Sequence, residues 1–368
     1  MKTFVTHRAC GILCLAGALS IGSAFGASSL ESLKAGNATL KSAGALAFGP
    51  DGILFVGDSM GASIVALDTN DRTPVATPPA IEVKSINEKI AGLLGSAPDQ
   101  ILINDIAVNP LSKKIYISVS RGRGPEAAPV ILRVDSTGKI SEVALEGIRY
   151  SSVSLVDAPA DVKDQRGQSK RTEAITGLAY LNGKVIVAGL SNEEFSSNLR
   201  SIPFPFQTAV KGASVEIYHG SHGRFETNSP VRTFVAYNIN NEPNILAAYT
   251  CTPLVRIPVS ELTPGNKVKG STIAELGNRN RPLDMIVYQK EGHNYILMAN
   301  SSRGVMKLAT DKLEGYKSIT AQTEVTGVPY ETIASLKGVQ QLDKYDDSNA
   351  MILAGDGGKL DLRSIPLP

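Results

Sequence analysis

From Gly44 to Pro368 the chain alternates short apolar runs with polar turns, and the runs have the period of two that half-buried strands require. The clearest unit is GALAFGPDGILFVGDSMGASIVALDT, Gly44 to Thr69. It reads as strand, tight turn, strand, polar loop, strand, with Gly49-Pro50-Asp51-Gly52 supplying the turn chemistry. The unit recurs from Asp105, Gly177, Thr233, Asp284 and Gly338, which makes six copies. Third and fourth strands are legible in VILRVDSTGKISEVAL and in SVEIYHGSHGRFET, the latter read as a hairpin with Gly220 to Gly223 at its tip.

Six four-stranded units predict an all-β fold, a six-bladed β-propeller, with seven blades as the alternative. The last copy ends at a third strand, so an N-terminal strand near Asn37 to Ser42 is expected to complete its blade and close the ring. Insertions at 85–100, 146–172 and 191–212 lengthen the units. The first contains a helix, Ser85 to Gly95, with Ser85 as its cap and Ile86, Ile90, Leu93 and Leu94 as its apolar stripe. The third is read as a loop, with Phe204 and Phe206 as lid aromatics. The domain reading is therefore 1–26 as a signal peptide and 27–368 as a single propeller.

The signal peptide rests on Lys2 and Arg8, the apolar run Ala9 to Ile21, and small residues before a cleavage near Gly26. It predicts a secreted or periplasmic protein with no membrane insertion after cleavage. Residues 27–368 number 342, with equal counts of acidic and basic side chains. That balance gives no electrostatic case for nucleic acid. Cys251 is the one cysteine beyond residue 26. His222 and His293 are placed on the opposite face from Cys251, and His219 at that end too. A Cys/His copper or zinc site, or a nucleophile pair, would then need residues from both ends of the ring, so Cys251 is read as half-buried filler.

AFGPDGILFVGDSMGASIVALD, Ala47 to Asp68, resembles a blade of the NHL-repeat and SMP-30 (gluconolactonase)-like propellers. In those a Pro-Asp-Gly turn leads to an apolar strand ending in an acidic residue. The later copies keep the alternation and lose the motif, so the resemblance bears on fold more than activity. It implies a metal set of the Glu/Asn/Asn/Asp type, without a residue-by-residue match.

Propeller topology gathers the second-to-third-strand loops and the inter-blade connections on one face. On that face Asp58, Asp105, Glu173, Asp284, Asn300 and Asp356 are the candidate oxygen ligands for calcium. Arg121, Arg123, Asn192, Arg281 and Arg303 are the candidates for clamping a small anion. The leading expectation is binding of a small polar or anionic ligand, or of a protein partner, on this face. Two alternatives stand beside it. One is a calcium-dependent hydrolase of lactonase or esterase type, and the other is a structural interaction platform. Haem and nucleotide motifs are absent, and the lack of Trp speaks against a quinone cofactor.

Overall fold

The structure, a computed structural model, describes residues 1, 29–124, 126–251, 253–356 and 358–368. The predicted signal peptide, Met1 apart, and its cleavage point near Gly26 lie outside these residues. The described strands form six sheets arranged as the blades of a propeller, antiparallel except where Lys267–Lys269 runs parallel to Ala213–His219. Numbered by the chain position of their innermost strand, blade I starts at Leu46–Phe48, blade II at Ile101–Val108 and blade III at Gly177–Leu181. Blade IV starts at Thr233–Ile239, blade V at Pro282–Lys290 and blade VI at Val339–Lys344.

The order of blades around the ring differs from their order in the chain. Inner strands of blades III to VI neighbour one another in sequence, but blade VI then meets blade II, blade II meets blade I, and blade I meets blade III. Six apolar clusters give the same circuit, because each fills one seam. Ile117 and Leu132 of blade II pack with Met351 and Leu362 of blade VI. Leu54 and Val56 of blade I pack with Tyr116 and Ile131 of blade II. Phe55 and Ile64 of blade I pack with Val185 and Ile202 of blade III. The remaining clusters fill the seams III–IV, IV–V and V–VI.

Two blades are assembled from distant parts of the chain. Blade I takes Leu46–Phe48, Ile53–Asp58 and Ser63–Asp68, and then Ile148–Ser154 as its fourth strand, in register Tyr150 to Leu67. All of blade II lies between those pieces. Lys34–Gly36 adds a fifth strand outside it. Blade VI takes its fourth strand from Glu82–Val83, which pairs with Arg363 and Leu362. A strand from the N-terminal part of the chain therefore does complete the last blade, but it is Glu82–Val83 and not residues 37–42. Lys41 and Ser42 instead dock on Asp58.

Local chemistry explains the details. Gly52 holds φ +69°, and a Cβ there would lie 2.8 Å from the Asp71 carbonyl, so the Pro-Asp-Gly turn requires glycine. The helix spans Ile86–Leu93. Ile86 and Ile90 are buried in the II–VI seam, whereas Leu93 is exposed, which narrows the expected stripe. Ser85 precedes it in a left-handed conformation and its side chain caps nothing.

The segment 191–212 is not a loop throughout. Ser197–Pro203 is the third strand of blade III, paired with Lys184–Leu190. Phe204 and Phe206 are not lid residues, since they pack at 4.9 and 6.0 Å from Phe55 in the I–III seam. No helix among the described residues is long and apolar enough to cross a membrane.

Candidate functional site

The inner strands enclose a central channel with a cavity of about 870 Å³. It runs from the mouth at Ala45, Asn104, Thr176, Arg232 and Gln341 to the far end at Lys113 and Asp346–Asn349. Five acidic side chains line it, Asp105, Asp284, Asp343, Asp346 and Asp347, against three basic ones, Lys113, Arg232 and Lys344.

Three of the aspartates share one arrangement. Asp105 accepts the N–H of Ile106 and that of Leu46 on blade I, at 2.8 and 2.7 Å. Asp343 accepts Lys344 N–H and Val108 N–H of blade II. Asp284 accepts Met285 N–H and Leu342 N–H of blade VI. Each carboxylate thus ties its own inner strand to the next, so the series V to VI to II to I is stitched, the non-sequential VI–II seam included. A β-bulge interrupts each of these inner strands, between Ile103 and Asp105, Pro282 and Asp284, and Val339 and Gln341. In blades II and V the bulge directly precedes the aspartate and re-aims it toward the channel. Burial pushes the Asp105 carboxyl up to about 7, against the pull of its two N–H donors and with added repulsion from Asp343. Burial takes Asp343 to about 6. Burial, and then repulsion from Asp105, holds Asp284 well above the ordinary carboxylate range.

The anticipated calcium ligands are spread over this framework. Asp105 and Asp284 face the channel. Asp58 is buried and accepts four hydrogen bonds, from Lys41 N, Ser42 N, Ser42 Oγ and Gly61 N, so it staples the N-terminal segment to blade I. Glu173 pairs with Arg232 at 2.5 Å. Asn300 is buried, with Oδ1 accepting from Asn280 and Nδ2 donating to Met298 and Gly304 carbonyls. Asp356 is exposed at the end of its strand.

None of the anticipated anion ligands lines the cavity. Arg121 and Arg123 are exposed and reach the Leu94 and Asp99 carbonyls beside the helix. Asn192 is exposed and its backbone N–H bonds the Asp157 carbonyl. Arg303 donates to the Asn278 carbonyl. Arg281 lies within electrostatic reach of Arg232 at the mouth. Burial first, and then repulsion from Arg232, lowers its pKa, with Glu173 opposing.

Asp343 was not anticipated from sequence, although INDIAV, PLDMIV and QLDKY each place an aspartate beside an apolar residue on an inner strand, a shared feature that would have marked it. Arg232 and Gln341 were also missed.

The histidines require a correction. Because Ser197–Pro203 is the third strand of blade III, Ala213–His219 is its fourth and ends on the loop-rich face. His219 and His222 therefore lie beside Cys251, not across the ring from it. Among the described residues, these three form the one group of His, Cys, Asp or Glu whose ligand atoms, one per residue, all fall within 4.8 Å of one another.

No family model matches the chain, and no curated protein matches it. Solved structures similar to it include a putative oxidoreductase (glucose dehydrogenase) from Thermus thermophilus, at 11% identity and TM-score 0.35, covering 90% of this chain and 100% of that one. A second glucose dehydrogenase aligns at 12% identity and TM-score 0.36, covering 91% and 98%. The Cps50 (Swd1) β-propeller domain of Myceliophteria thermophila aligns at 8% and 0.37, covering 89% and 84%.

Proposed function

We propose that this propeller binds a small polar molecule, neutral or cationic, in its central channel. The observation that carries the reading is the convergence of Asp105, Asp284 and Asp343 on one cavity of about 870 Å³. That volume suits a small ligand. Carboxyls with pKa values raised toward neutrality serve as donor or acceptor to hydroxyl groups when protonated, and as counter-ions to an amine when ionised. The sequence pointed first to an anion. The surplus of acidic over basic lining groups argues for the opposite sign, and the guanidinium groups on which an anion would rely stand outside the cavity or in ion pairs. The calcium-dependent hydrolase finds less support, because Asp58, Glu173 and Asn300 are engaged in the contacts described and only Asp105 and Asp284 of its ligand set share the channel.

The test is calorimetric titration of the full chain with small polyols, amines and dicarboxylates at pH 5 and pH 8. Polyols or amines are expected to bind, and amines are expected to bind more tightly at pH 8. Asp343, near 6, and Asp105, near 7, ionise across that interval and supply the charge. Asp343→Asn is expected to weaken amine binding at pH 8 at least about tenfold, the equivalent of one lost charge-assisted hydrogen bond. Preferential binding of dicarboxylates, or amine binding at pH 8 indifferent to Asp343→Asn in a variant that melts cooperatively, would overturn the reading.

A further inference from the structure

We propose that His219, His222 and Cys251 form a transition-metal site on the rim of the propeller, selective for a cation of the zinc class that takes imidazole and thiolate together. None of the three residues lines the channel, so the proposal stands apart from the ligand reading.

Three observations carry it. The first is convergence. One ligand atom from each residue lies within 4.8 Å of the others. Around a tetrahedral zinc ion, with bonds of about 2.0–2.3 Å, such atoms sit about 3.5 Å apart, so closure needs a side-chain movement of about 1 Å.

The second is the outer support. Glu226 holds Nδ1 of His219 at 2.9 Å through one oxygen and Nδ1 of His222 at 2.7 Å through the other. Ser229 Oγ donates to the same carboxylate. A carboxylate on the far nitrogen is what orients metal-bound histidines and fixes their tautomer. It leaves Nε2 of each ring as the nitrogen that binds.

The third is an unanswered buried group. His219 is 3% exposed, and its Nε2 has no hydrogen-bond partner. Nearby, Ser221 Oγ is likewise buried without one. So is Oε2 of the fully buried Glu275, whose other oxygen accepts Gly220 N–H. Buried polar atoms left unmatched are costly, at about 1–3 kcal/mol each, and a cluster of them calls for an explanation. A metal ion on Nε2 would answer the histidine directly.

The backbone at Cys251 points the same way. The residue adopts φ +64°, a left-handed conformation that costs a side-chain-bearing residue about 1–2 kcal/mol, with its N–H tied to the Asn280 carbonyl at 2.7 Å. Glycine would sit there without that strain. Three protein ligands fill three tetrahedral positions and leave a fourth for water or another small ligand. Binding converts the Cys251 thiol to thiolate and releases its proton, so affinity rises with pH.

Titrating the full chain, stripped of metal, with Co²⁺ gives a direct readout. One equivalent should bind and produce a thiolate-to-cobalt charge-transfer absorption that Zn²⁺ abolishes on displacement. Cys251→Ser should lose that absorption. His222→Gln, at an exposed position, should weaken Zn²⁺ binding by more than about 100-fold, and Glu226→Gln by about 10- to 100-fold. Cys251→Gly should raise the melting temperature of the metal-free chain, and added Zn²⁺ should stabilise the parent but not this variant. Absence of the charge-transfer band, or Zn²⁺ affinity unchanged by Cys251→Ser and His222→Gln in chains that still melt cooperatively, would overturn the site.

Discussion

At the scale of single residues, the polar interior decides more than the apolar one. Arg200 is fully buried and Asp157 almost so. They pair at 2.8 Å, Arg200 also donates to the Leu190 carbonyl, and Gly212 N–H donates to Asp157. Such a pair is worth little net against an apolar replacement, but removing one partner strands a buried charge. Asp157→Asn is therefore expected to cost about 3–5 kcal/mol in a denaturant melt, whereas a small effect would show that the guanidinium finds water.

The channel aspartates make a prediction of the other sign. Asp105, near 7, and Asp343, near 6, hold protons in the folded chain that the unfolded carboxyls, near about 3.9, have already released. Their contribution to stability is fully present below about pH 4 and is lost as pH rises through 6 and 7. Asp105→Asn should flatten that slope while costing about 1–2 kcal/mol at pH 5, because one of the two N–H groups it serves loses its acceptor. Urea midpoints at pH 5 and pH 8 check both, and a slope unchanged in the variant would show that other groups set it.

At the scale of elements, hairpins were legible and lone outer strands were not. Ile53–Asp58 and His293–Asn300 announce themselves through apolar runs bounded by turns. Ser197–Pro203 does not, since Ser197, Asn198 and Arg200 are polar yet buried, so the pattern imitates a surface loop. Omitting that strand shifted the count within blade III by one and sent His219 to the wrong face. With that strand in place, His219 and His222 fall beside Cys251.

Among the channel aspartates, Asp105 and Asp284 were legible from their place before an apolar run, whereas Asp343 was hidden among the other acidic residues of LDKYDD. Glu82–Val83 is two residues long and carries no periodicity at all. Its pairing rests on contact with Leu362 and on Val83, 2% exposed, packed in the II–VI seam. Val83→Ala is expected to cost about 2 kcal/mol, more than an ordinary edge-strand substitution, because the same side chain fills a seam and fastens a blade. A midpoint shifted by only a few tenths of a kcal/mol would mean that the short strand is passive.

At the scale of the whole molecule, the chain closes its ring by interlocking three blades. It builds three strands of blade I, crosses to the outer edge of blade VI, returns through blade II, lays Ile148–Ser154 on blade I, and only then proceeds from III to VI. Residues 1–72 and 78–368 are therefore joined by more than the covalent connection between them. The first segment contributes Ser63–Asp68, which pairs along its length with Ile148–Ser154 of the second. It also contributes Phe55 and Leu54 to two seams. Asp71, near the end of the first segment, accepts from Ser112 Oγ, Lys114 Nζ and Tyr116 OH of blade II, and the connection after it has exposed positions at 73, 74, 76 and 77.

A specific protease site placed at 76–77 should cut this connection without separating the pieces. The nicked protein is expected to elute as one species of the parent size and to melt cooperatively at a lower temperature, since loop closure is lost while strand pairing remains. In a ring whose blades followed the chain in order, each cut between blades would leave fragments meeting only at side-chain seams. Release of a free N-terminal fragment under native conditions would show that blade I is not held by its borrowed strand, and the split-blade closure would fail with it.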